Sequence, residues 1–383
     1  MRSTERILTT HVGSLPRPDD LLKVIWDKAD GNAVDEAALT ELVQEAVKTV
    51  VAQQREVGID IVGDGELSKP GFSNYIYERY SGFEKEDLLH METSALDFAD
   101  FPDVAAQLMG DQLEAFKHAE MRECKGPIAL KDPEPVRQDI AHLAAALGDK
   151  PRDSAFLNAP TPGQVLFNNP NKYYATREEY LEATAEALRT EYQEIIDAGF
   201  NLQLDSPDLA MSAHYTFGDG VGDHMEHVHR AIEALNHAID GLPAERLRLH
   251  ICWGNYAGPH NHDVPLRKII EPILTANVET ISIEGANPTH EYEYEIFKDV
   301  ELPDDKVLMP GVIDVCNTRL EHPRVVAQRI LRFAELVGRE RVVASTDCGF
   351  ATFAGVAWIP PSLVWAKLRA LAEGAEIASR ELF

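Results

Sequence analysis

Eight short runs rich in β-branched residues recur down the chain: ILTTHVG at 7–13, IDIVGDG at 59–65, AFLNAP at 155–160, FNLQLD at 200–205, LRLHICW at 247–253, TISIEG at 280–285, KVLMPGVID at 306–314 and VVASTD at 342–347. Between them lie longer stretches, among them 35–57, 177–198, 224–240, 266–275, 322–337 and 361–379, most with apolar residues at i, i+3 and i+4. That spacing predicts amphipathic helices, and strands alternating with helices predict parallel pairing through crossovers. Eight such units make an α/β chain of the (β/α)8 TIM-barrel class. A dinucleotide-binding sheet is disfavoured, because no G-x-G-x-x-G follows the first run and no G-x-x-x-x-G-K-[ST] loop occurs. With 383 residues and 44% hydrophobic content, one large barrel spanning 1–383 can bury its own core.

A segment from 67 to 155 separates the second and third runs and reads as a long insertion after strand two. It opens with the aromatic GFSNYIYERYSGF and continues through the acidic EKEDLLHMETSALDFADFPD. An insertion there either covers the catalytic face as a lid or packs peripherally and dimerises, and the sequence leaves both open.

Polar chemistry collects where the runs end, which in a barrel is the catalytic face. His11 and Ser14 follow the first run, Asp64 and Glu66 the second, Asp205 the fourth, Asp314 and Cys316 the seventh. His250 and Cys252 end the fifth, Glu284 the sixth and Cys348 the eighth. At i, i+2 on a strand, His250 and Cys252 project to one face. Imidazole, thiolate and carboxylate are donors that zinc takes, so Zn2+ is the expected cofactor. Each residue alone has a plainer reading: a core His, a small buried Cys, a helix-capping carboxylate at 66 or 205, a turn Ser at 14. Their shared placement carries the expectation.

Taken in order, TTHVGSLPRP, GDGE, LQLDSP, HICWGN, ISIE, PGVID and TDCG resemble the catalytic barrel of the cobalamin-independent methionine synthase family over nearly the whole chain. The resemblance implies a (β/α)8 barrel in which zinc activates the thiol of homocysteine for methylation. It implies zinc ligands at His250, Cys252, Glu284 and Cys348, a carboxylate contact at Ser14 and an ammonium contact at Glu66 and Asp205. One position departs from the family pattern: methionine-forming members carry a His after the seventh-strand motif, where PGVIDVC places Cys316. A thiol donates a proton to a folate nitrogen less well, so Asp314 and Cys316 are the expected catalytic pair with the donor left open. Folate, a corrinoid protein or a methyl sulfonium remain candidates.

Related single-barrel alkyltransferases that add coenzyme M to epoxides form the alternative, along with a non-catalytic zinc-binding relative. Coenzyme M carries a sulfonate and no amine, which Glu66 and Asp205 would repel, favouring an amino thiol. His260 and His262 in NYAGPHNHD could move protons, although loop histidines are more often solvated.

The net charge of -28, from 64 acidic against 36 basic residues, argues against nucleic acid or an anionic membrane surface as partner. No run approaches the roughly 18 apolar residues of a membrane span, and RSTERILTT after Met1 lacks a signal-peptide core. Four cysteines are too few for a disulfide framework, and Cys124 reads as a reduced thiol. The expectation is a cytoplasmic enzyme with small-molecule substrates, compatible with a homo-oligomer.

Overall fold

The computed structural model describes residues 1–85, 93–118, 121–217 and 220–383. Its barrel strands are β1 (Leu8–Thr9), β2 (Val62–Gly63), β3 (Ala155–Pro160), β4 (Asn201–Asp205), β5 (Leu247–His250), β6 (Thr280–Ile283), β7 (Val307–Pro310) and β8 (Val343–Ala344). Strands β2 to β7 form one sheet in sequential order, with every pairing parallel. Strand β1 pairs in parallel with β8 through Leu8↔Val343 and Thr9↔Ala344. Parallel bridges Leu308↔Val342 and Gly311↔Ser345 join β7 to β8. The Asp60 and Ile61 amides donate to Thr9 O at 3.1 and 3.0 Å, so β1 also meets β2. All eight expected runs contribute strands to a (β/α)8 barrel.

The expected helices form with boundaries set by caps. Asp35 accepts from the Ala37 and Ala38 amides before Glu36–Glu56, Thr176 from Glu179 before Arg177–Asp197, and Asp223 from Glu226 before His224–Ala238. The sixth unit departs from the pattern, carrying the 3-10 turn Glu293–Lys298 where an α-helix would stand. Pro288 and Pro303 bound that stretch and leave little chain for a longer helix.

The 67–155 segment divides in two. Its last helix, Glu134–Leu147, packs against Glu36–Glu56 and Arg177–Asp197 and is the barrel's own second outer helix. Buried ion pairs and phenols hold its root: Arg79 bonds Asp139 and Glu191, and the Glu191 carboxylate also accepts from the Tyr75 and Tyr80 hydroxyls at 2.9 and 2.7 Å. The earlier part is additional to the barrel. Within it, Phe83–Lys85 pairs with Arg122–Cys124, while Thr93–Ala95 pairs with Tyr215–Phe217 beyond β4.

Inside the barrel the packing is polar. Arg248 on β5 donates to Gln203 Oε1 at 2.7 Å, to Thr10 Oγ1 at 3.1 Å and to the His11 carbonyl. Its guanidinium lies 3.8 Å above the Phe156 ring, and burial lowers its pKa to about 9. His11, expected near the site, instead bonds Gln54 at 2.8 Å, and burial drops its pKa to about 3.

Candidate metal centre and substrate cavity

Register sets the site. Asp205 pairs with His250 across β4 and β5, and Ser282 on β6 pairs with His250. Because side chains alternate along a strand, Gln203, Asp205, Arg248, His250 and Ser282 share the inward face, and Cys252 and Glu284 follow two residues on. A cavity of about 240 Å³ opens at this mouth and is lined by Ser14, Glu66, Asp205, His250, Cys252 and Cys348, among others.

At one end the donor atoms of His250, Cys252 and Cys348 all lie within 4.8 Å of one another. The two sulfurs stand 3.6 Å apart. Two thiolates bound to one tetrahedral zinc at about 2.3 Å would be roughly 3.8 Å apart, so the pair is already spaced for a shared ion. His250 Nδ1 meets Ser282 Oγ at 3.2 Å, whereas the buried Nε2 has no partner among the described residues. Burial lowers this imidazole to about 3, leaving it neutral with a lone pair to offer. The Cys348 sulfur and burial push the Cys252 thiol well up. These donors fit zinc.

Glu284, the fourth expected ligand, is buried nearby but stands outside that trio. Its carboxylate accepts from the Trp253 amide at 2.9 Å and from Asn287 Nδ2. Its loop is fixed by a residue the sequence reading passed over: Asp347 accepts from the Gly285, Ala286 and Asn287 amides, each at 2.9 Å. Asp347 precedes Cys348 in TDCG, so the motif contained the signal.

At the other end Glu66 and Asp205 face a common space. Asp205 accepts from Asn158 Nδ2 at 3.0 Å and from Gln203 Nε2 at 2.7 Å, which links it through Gln203 to Arg248. Glu66 Oε2 is buried without a partner among the described residues. Burial raises the pKa of both carboxyls, and Asp205 adds to the rise at Glu66. Lys69 Nζ, bonded to the Asn158 carbonyl at 2.6 Å, partly offsets this. Glu66 holds a left-handed φ of 57°, fixed by its amide on Asp64 Oδ1 at 2.9 Å and by Arg17 Nη2 on its carbonyl at 2.9 Å. Arg17 also binds the Lys69 and Ala351 carbonyls, tying the loops after β1, β2 and β8 together.

Ser14 sits where those loops meet, its Oγ accepting from the Ala351 amide at 3.2 Å. A Cβ at Gly349 would fall 2.1 Å from that oxygen, and one at Gly13 only 2.4 Å from Glu66 Oε1, so both close approaches require glycine.

Asp314 and Cys316, the expected catalytic pair, are not among the residues lining the cavity. Asp314 closes a turn by accepting from the Cys316 amide at 2.8 Å and from Asn317 Nδ2. The Cys316 sulfur points to Asn255 Oδ1 at 3.2 Å, and it is Asn255 that reaches the cavity. Burial keeps this thiol well above its ordinary pKa. His260 and His262 are held by Asp263 and Asp100 at 2.9 and 2.6 Å and likewise do not line the cavity.

Fold and mouth together define a barrel with a sulfur-rich, metal-competent centre beside a carboxylate-lined cavity. Residues 157–368 match the family described as the catalytic domain of cobalamin-independent synthase, and the chain belongs to that family. A methionine synthase of Thermococcus kodakarensis is 24% identical over 378 residues, covering 98% of this chain and 94% of its own. A 2-hydroxypropyl-CoM lyase of Xanthobacter autotrophicus is 24% identical over 408 residues, covering 98% and 96%. Among solved structures, a B12-independent methionine synthase from Shewanella sp. W3-18-1 in complex with selenomethionine superposes with a TM-score of 0.72 at 22% identity, covering 98% of this chain and 99% of its own. That likeness shows the barrel, and the family membership supports a methyl or alkyl transferase.

Proposed function

We propose that this protein is a zinc-dependent methyltransferase that takes homocysteine or a closely similar amino thiol as acceptor. The observation carrying the reading is the bipolar cavity: paired sulfurs with an imidazole nitrogen at one end and a buried carboxyl oxygen at the other, both without partners among the described residues. His250, Cys252 and Cys348, with Glu284 beside them, would hold the ion. When bound, zinc supplies Lewis acidity that keeps a substrate thiol deprotonated near neutral pH.

The chain's own residues do the rest. Glu66 Oε2 and Asp205 offer carboxyl acceptors to an ammonium, while Ser14 Oγ and the amides around it suit a carboxylate. Asn158 and Gln203 keep Asp205 aimed, and Arg17 holds the Ser14 and Glu66 loops in register. Phe72 and Phe98 from the insertion line the cavity together with Phe353 and Trp358, which supports reading the insertion as a lid that keeps water from the sulfur.

No lysine or arginine lines the cavity among the described residues, which suits an ammonium-bearing acceptor better than a sulfonate such as coenzyme M. The methyl donor, whether a folate, a corrinoid protein or a methyl sulfonium, is taken from outside these residues. Among the described residues no helix is long and apolar enough to cross a membrane, and all four cysteines are unbridged, which fits the cytoplasm. The deciding experiment incubates zinc-loaded protein with homocysteine and each donor in turn and follows methionine by mass spectrometry. Methionine from at least one donor is expected; turnover only with coenzyme M and an epoxide would replace this reading with alkyl transfer.

A further inference from the structure

Beside Trp253, against one wall of the substrate cavity, lies a second group of ligand-type side chains that the proposed chemistry does not use. Asp97 comes from the insertion helix Leu96–Asp100, His214 from the loop after β4, and His260 and Asp263 from the loop after β5. One donor atom each from Asp97, His260 and Asp263 lies within 4.8 Å of the others.

His214 stands outside that trio but adds a buried imidazole beside Asp263. Its side chain is 0% exposed and lies against the Trp253 backbone, and neither ring nitrogen has a hydrogen bond of good geometry among the described residues. Asp263 Oδ1 is also buried without a partner, and it faces His214 Nε2 at 3.4 Å. A hydrogen bond between these groups would be shorter, near 2.7 to 2.9 Å. Two ligands on one tetrahedral zinc at 2.0–2.1 Å are roughly 3.3–3.4 Å apart, which is the separation found.

The surroundings resemble an outer shell. The second oxygen of Asp263 accepts from His290 Nε2 at 2.8 Å, and His290 Nδ1 is held in turn by Glu293 at 2.9 Å. Asp97 is oriented by the Tyr256 hydroxyl and by the His262 amide at 3.1 Å. His260 Nε2 lies 3.0 Å from the Tyr256 carbonyl, so it is the donor there and Nδ1 is the nitrogen left to ligate. That nitrogen now meets Asp263 Oδ2 at 2.9 Å; to ligate, it would release its proton to solvent and turn from Oδ2 toward an ion held at Oδ1.

We propose that Asp97, His260 and Asp263, with His214 beside them, form a second metal site, taking a first-row divalent ion, zinc foremost, that pins the insertion to the loops after β4 and β5. Mixed imidazole and carboxylate donors suit such an ion. Tyr256 and Phe98, which pack edge to face at 5.5 Å, both line the substrate cavity, so an ion at Asp97 orders one of its walls.

Full-length protein, stripped with a chelator and titrated with Co(II), tests this by bound stoichiometry and spectrum. Wild type should hold two equivalents, only one of them giving the sulfur-to-cobalt charge-transfer band. The Cys252→Ser/Cys348→Ser double variant should keep one equivalent without that band, whereas Asp97→Asn and His214→Gln should each fall to one with the band intact. If the double cysteine variant, folded by circular dichroism, binds no metal, the proposal is wrong. It is equally overturned if Asp97→Asn and His214→Gln both still bind two. Should His214→Gln not fold, the cysteine and Asp97 variants decide alone; failure of the sulfur centre would show separately as a wild type lacking the band.

Discussion

The sulfurs of Cys252 and Cys348 stand 3.6 Å apart although 96 residues separate them in the chain. Cys252 lies just beyond β5 and Cys348 just beyond β8, so closing the barrel brings them together across its mouth. Replacing Cys348 with Ser should weaken the sulfur-bound metal by at least about 100-fold, more than the loss of a supporting group costs. Competition with a chromophoric chelator measures this, and an unchanged affinity would remove Cys348 from the centre.

Asp205→Asn should weaken homocysteine binding without changing metal content. One charge-assisted bond is worth about 1.5–3 kcal/mol, which corresponds to roughly 10- to 150-fold in Kd. Calorimetry on the zinc-loaded protein would read it. Equal affinity in both proteins would argue for an acceptor without an amine.

Asp347→Asn probes how the Glu284 loop is held. The carboxylate accepts three amides, and an asparagine has only one oxygen to offer them. Metal affinity should drop about 10- to 100-fold while homocysteine affinity of the loaded fraction stays within a few-fold. A variant that binds metal normally would show that Glu284 needs no such support.

Glu66 gives a pH signature. Its folded pKa is raised, to about 8, above the ordinary carboxyl value, chiefly by burial and then by Asp205. The folded state therefore binds the proton more tightly than the unfolded chain, and stability from this group falls as pH rises from the ordinary carboxyl range toward about 8. Glu66→Gln should be more stable than wild type by on the order of 1–3 kcal/mol at the top of that window and nearly equal to it at pH 4 to 5. Thermal melts of the ligand-free proteins across this range test the sign. A difference that shrinks with rising pH would contradict the assignment.

The fold was largely legible because a barrel repeats one local rule. Each strand run, such as LRLHICW, and each capped helix, such as Glu36–Glu56 behind Asp35, carries its own instructions in periodicity and capping. The sixth unit escaped that reading, since a short proline-bounded stretch favours a 3-10 turn over the repeat. Helix Glu134–Leu147 reads as part of the insertion in the sequence, because amphipathicity tells that a helix packs and not against what.

The sequence by itself determined the donors: His250 and Cys252 share a face through the two-residue period of a strand, and the strand-end positions of Glu66, Asp205, Glu284 and Cys348 follow from the alternation. Tertiary structure decided what each donor meets. Burial and register left His250 Nε2 and Glu66 Oε2 without partners among the described residues, bonded Glu284 to Trp253 and Asn287, and turned Cys316 toward Asn255 and out of the cavity lining. Those outcomes depend on contacts between segments up to some hundreds of residues apart, such as Ser14 with Ala351 or Asp347 with Gly285. Local periodicity fixes which way a side chain points along its own strand; only closure of the barrel fixes its partner.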